Sequence, residues 1–161
     1  MDIEKQKELY EAYPDIFVQK DLPNTRSLMC YGLSCGDGWF DLIETLCENL
    51  DSYVSQHNEN VDRFKGVDDI PEWAPREYKS VQAVQVKEKF GGLRFYVEGC
   101  DDYVRGLISM AESMSHKICE ECGVPGETNK KGWLVTLCGG CREERFKSRE
   151  QFLQLKLPFD K

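Results

Sequence analysis

The chain has 161 residues, 40% of them apolar and 31% charged, with a formal net charge of −8. That length suits one domain with an appended module, since single cores stop growing near roughly 250 residues. A mean hydropathy of −0.56 and no run near the roughly 18 uncharged apolar residues of a membrane span argue against a spanning helix. The opening MDIEKQKELYEAY alternates charge without an apolar stretch, so a secretory leader is not expected. The acidity is local: residues 1–100 carry 19 acidic and 11 basic side chains, residues 101–161 ten of each. A chain of this balance has no general attraction to a phosphate backbone, which disfavours diffuse nucleic-acid binding.

Residues 2–13 predict a short amphipathic helix stopped by Pro14, and 14–36 an irregular stretch broken by Pro23, Gly32 and Gly36. Asp37 is the expected N-cap of a helix in which Trp39, Leu42, Ile43, Leu46, Cys47 and Leu50 recur at helical spacing, ending near Ser55. The polar span 56–80, with Pro71 and Pro75, reads as a long connection. A hairpin, described below, follows from Val81. Residues 101–117 predict a second helix with Val104, Leu107, Ile108, Ala111 and Met114 on one stripe. After the last cysteine, REERFKSREQFLQLK reads as a charged helix with Phe146, Phe152 and Leu153 as its apolar contacts.

Eight cysteines carry the clearest chemical signal. Cys119, Cys122, Cys138 and Cys141 form a C-x2-C-x15-C-x2-C array, the spacing of a zinc site. Two residues between cysteines let both thiolates turn toward one ion at about 2.3 Å, and two such pairs complete a tetrahedron. Between the pairs, Asn129 to Gly132 supply turn chemistry and Trp133 to Leu137 a returning strand, after which Cys141 opens a helix. That order predicts a treble-clef-like finger, with a zinc ribbon as the near alternative. One Zn2+ per chain with four cysteine ligands is expected to be structural, since no position stays open for water. Reduced thiols of this kind point to the cytoplasm.

The segment VQAVQVKEKFGGLRFYVEG (81–99) holds two β-prone runs about Gly91-Gly92, a two-residue turn signal. The corresponding register sets Phe90 opposite Leu93, Lys89 opposite Arg94 and Lys87 opposite Tyr96. One face then carries Val84, Val86, Phe90, Leu93, Phe95 and Val97, and the other Gln85, Lys87, Lys89, Arg94 and Tyr96. Lys87, Lys89, Arg94 and Tyr96 are therefore the candidate anion-binding residues, because gathered cations beside an aromatic ring suit a phosphate or carboxylate. A solvated strand face neutralised by local glutamates is the competing explanation.

Other signals are weaker. Gly36-Asp37-Gly38-Trp39 resembles an anion-cradling loop, but an N-capping Asp37 would repel an anion, so a structural turn with Trp39 in the core is preferred. Cys30, Cys35, Cys47 and Cys100 read as isolated thiols before they read as a second metal site. His57 and His116 lie beside no nucleophile motif, and Asp101-Asp102 belongs at a helix start.

KEKFGGLRFY (87–96), AESMSHKICEECGVPG (111–126) and GWLVTLC (132–138), with GDGW (36–39) and LIETLC (42–47), resemble segments of uncharacterised small proteins of tailed-phage and prophage genomes. The resemblance covers roughly residues 34–141. Many members of that group end the metal site with a histidine after the TLC segment, where this chain offers Cys141. The resemblance implies a phage-type accessory protein acting in the bacterial host cytoplasm, with counter-defence as one expected role.

The sequence therefore predicts an α+β fold: a short antiparallel sheet, flanking helices and a C-terminal zinc finger. Its parts are 1–33 (helix and irregular segment), 34–117 (core) and 118–161 (finger and last helix). The expected function is non-enzymatic binding of an anionic small molecule, such as a nucleotide signal, or of a host protein. The first rival is a nucleic-acid-binding zinc-finger protein. The second is a metal-supported nuclease or nucleotide hydrolase, using carboxylates from 37–44 or 98–102. Self-association stays open.

Overall fold

Two amphipathic helices and one hairpin supply most of the buried apolar surface. The computed structural model describes residues 1–155, with side chains through Ser148. In chain order the elements are α1 (Ile3–Ala12), β1 (Leu33–Ser34), α2 (Phe40–Phe64), β2 (Gln82–Lys89), β3 (Gly92–Glu98), α3 (Asp102–Ser115), β4 (Glu127–Thr128), β5 (Thr136–Leu137) and α4 (Gly139–Leu155). The expected α+β class holds, but the main sheet is mixed. β2 lies in the middle, antiparallel to β3 and parallel to β1. No helix among the described residues is long and apolar enough to cross a membrane.

The core forms where α2 and α3 pack over the sheet. Trp39, Ile43, Cys47 and Leu50 from the α2 segment meet Val86, Leu93 and Phe95 of the hairpin and Val104 of α3, all essentially inaccessible. Phe17, from the irregular N-terminal stretch, packs edge-on against Phe95 at 6.4 Å. Burying a side chain of this size stabilises by about 1.5–3 kcal/mol. α3 also protects the sheet's edge. Ser115 Oγ accepts from Leu93 N (2.8 Å) and Glu112 Oε1 from Phe95 N (3.1 Å), so two outward donors of β3 are satisfied by side chains.

Several expectations are corrected. Asp37 is not the N-cap of α2: it begins a 3-10 turn, Asp37–Trp39, and its carboxylate accepts from Asp2 N and pairs with Lys5. α2 runs on to Phe64, nine residues past the expected end, and Val61 is buried within that extension. Met114 is exposed, and Ser115 takes the buried place beside β3. α4 starts at Gly139, two residues ahead of Cys141, and Phe146 is 60% exposed. Phe152 and Leu153 lie outside the described side chains.

The hairpin turns at Phe90-Gly91, not at Gly91-Gly92. Both turn residues have positive φ (57° and 77°), the pattern of a type I′ turn. The register is Lys89 opposite Gly92, Lys87 opposite Arg94 and Val86 opposite Phe95. Each partner changes by two positions, an even number, so the faces keep their composition near the turn, but Phe90 loses its inward place and is 66% exposed. A bulge between Ala83 and Gln85 then turns Ala83 inward in place of Val84. Gly91 is fixed by crowding, since a Cβ there would stand 2.7 Å from Thr128 Cγ2.

Candidate metal centre and cationic face

The four expected ligands do converge. The sulfurs of Cys119, Cys122, Cys138 and Cys141 lie within 4.8 Å of one another. Local structure brings them there in two pairs. Gly123 N donates to Cys119 O and Cys119 N to Val124 O, curling the first pair into a knuckle. The β4–β5 pairing returns the chain to Cys138, and Cys141 sits in the first turn of α4. Cys122 Sγ and Cys138 Sγ are 3.7 Å apart. A tetrahedral ion bound at about 2.3 Å requires sulfurs about 3.8 Å apart, whereas a disulfide would hold them near 2.05 Å. The donor set thus fits a metal ion and not two disulfides.

Cys119 is fully buried within the cluster. Burial opposes its ionisation, yet the backbone donors of Cys138, Cys122 and Glu121 outweigh it and lower the thiol to about 7. The remaining cysteines behave otherwise. Burial pushes Cys35 up to about 12 and Cys47 well above its ordinary value, while Cys30 and Cys100 are exposed. Among the described residues these four form no second cluster.

The knuckle does not hang free. Gly38 N donates to Glu120 O (2.7 Å), Gly36 N to Glu120 Oε1 (3.0 Å) and Trp39 Nε1 to Ile118 O (2.9 Å). A Cβ on Gly38 would stand 2.1 Å from Cys119 O and 2.3 Å from Gly123 N, so only glycine permits this approach. The Gly36–Trp39 loop is thus the seat of the first cysteine knuckle, a role its sequence context signals only through two glycines beside a buried tryptophan. A second tie runs from the finger hairpin to the sheet. His116 Nδ1 meets Thr128 Oγ1 (3.0 Å), Thr128 meets Thr136, and Thr136 Oγ1 donates to Gly91 O.

On the outer sheet face, Lys87 and Arg94 are direct cross-strand neighbours, and the Lys87 ammonium lies 5.7 Å from the centre of the Tyr96 ring. Lys89 stands at the turn, over Phe90 at 5.3 Å. Arg94 is not a bare surface cation. It donates to Leu93 O (2.6 Å) and pairs with Glu112 Oε2 (3.8 Å), a carboxylate from α3 that the strand pattern alone could not bring near.

No family model, curated protein or solved structure matches this chain.

Proposed function

We propose that the chain is a zinc-stabilised binding protein whose outer sheet face receives an anionic ligand or the acidic surface of a partner protein. Zinc is supported by the donor set: four soft thiolates at tetrahedral spacing favour it over hard cations. Four protein ligands saturate the ion, so its work is to hold the finger's shape.

The observation that carries the binding half is the pairing of Lys87 with Arg94. Like charges directly opposed cost stability, and Glu112 answers only Arg94. A face that keeps such a pair is relieved by an incoming anion, and Tyr96 beside Lys87 adds an aromatic surface for it. In the bacterial cytoplasm that the phage resemblance implies, a nucleotide signal or a host defence protein fits this chemistry.

Lys87→Glu is the cleanest test. Arg94→Glu would set two carboxylates together with Glu112 and disturb folding as well as charge. Calorimetric titration with ATP and with a polyglutamate peptide should show Lys87→Glu weakening the bound probe by at least about 30-fold, roughly 2 kcal/mol, with a melting temperature no lower than that of the wild type, because the glutamate faces Arg94 as an opposite charge. A variant that binds both probes as the wild type does contradicts the assignment.

A further inference from the structure

The finger carries a second surface outside those four residues, and the proposal above does not depend on it. A groove of about 740 Å3 runs between the 129–133 loop and α4. Trp133 and Phe146 stand on it at 80% and 60% exposure. Lys130 and Lys131 line its loop side, and Arg142 and Arg145 its helix side. Glu143 and Glu144, at the intervening helix positions, are not on the lining.

The loop is built to present Trp133. Asn129 Oδ1 accepts from Val135 N (2.7 Å), and Asn129 Nδ2 donates to Lys131 O (2.6 Å) and Trp133 O (3.0 Å). Arg142 is anchored on Glu127 O (2.8 Å), which fixes where its charge stands. Arg145 is paired at 3.9 Å with Glu121, and Lys130 and Lys131 make no ion pair among the described residues.

We infer that this groove binds single-stranded nucleic acid, with Trp133 and Phe146 stacking bases and the lysines and arginines meeting phosphates. Two exposed rings on facing elements suit bases, which offer a flat π-face whatever the sequence. An acidic peptide would use the cations but leave both rings without matching partners. The chain's overall −8 does not forbid this, because charges beyond about 8 Å are screened at physiological salt.

The test uses the zinc-loaded full chain and a fluorescein-labelled dT12 strand read by anisotropy. Binding is expected to weaken with rising salt and to fall roughly ten-fold or more in Trp133→Ala and again in Phe146→Ala. Neither side chain is buried, so both variants should keep the wild-type zinc content and melting temperature. In a Trp73→Phe background Trp133 is the remaining exposed tryptophan, since Trp39 is buried, and dT12 should quench it. Equal binding of a 12-base-pair duplex, or wild-type affinity in Trp133→Ala, overturns the inference. So does quenching by polyglutamate but not by dT12, which would assign the groove to an acidic protein. Trp133 already shielded from acrylamide in the free chain would show the groove filled by the protein's own residues and overturn it as well.

Discussion

At Asp101 three donors converge on one carboxylate. Val104 N caps α3 on it (2.9 Å), Tyr53 donates its hydroxyl (2.7 Å), and the Lys79 ammonium pairs with it. Partial burial works against the charge, but the bonds from Lys79, Tyr53 and Val104 prevail and hold the carboxyl well below its ordinary value. A carboxyl depressed in the folded state contributes stability that is complete above its unfolded value and lost as pH falls through the folded one. Acidification below about pH 4 should therefore destabilise the wild type more than Asp101→Asn. The asparagine keeps the cap but strands the Lys79 ammonium, so at pH 7 the variant should be less stable by about 1–2 kcal/mol. Melting curves at pH 7 and pH 3 check both statements, and parallel pH dependences in the two proteins would contradict them.

Among the elements, the hairpin shows most clearly what the sequence discloses and what it withholds. Two strands about residues 90–92, with Val86, Leu93 and Phe95 inward and Lys87, Arg94 and Tyr96 outward, were legible from alternation alone. The turn was not, because two adjacent glycines permit several placements. What decides it is crowding: Gly91 meets Thr128 and Thr136 of the finger, and Gly92 meets His116, contacts made by residues more than 20 positions away. Phe90 is left with φ 57°, which costs a side chain with a Cβ about 1–2 kcal/mol. Phe90→Asn, giving the Asn-Gly pair that type I′ turns favour, should raise stability by about 1 kcal/mol. Little burial is forfeited, since the ring is mostly exposed. An unchanged or lower melting temperature would count against the turn assignment. The length of α2 was hidden for a related reason, as its last turns are polar in sequence and only Val61 is buried there.

For the whole molecule, the cysteine knuckle and the α+β body are joined through the Gly36–Trp39 loop and the His116–Thr128–Thr136–Gly91 chain of hydrogen bonds. Ligand spacing announced the cysteines from sequence, because C-x2-C geometry is local. Neither the seat nor the Trp133 groove was announced, because both arise from segments that meet only in the fold. The β4–β5 pairing spans two residues on each strand, so an ion joining the two cysteine pairs would supply much of what holds the second pair against the first knuckle. Elemental analysis of the purified chain and of Cys122→Ser with Cys141→Ser addresses this most directly. The account predicts one zinc per wild-type chain and none in the double variant; a zinc-free wild type, or zinc undiminished in the variant, would contradict it.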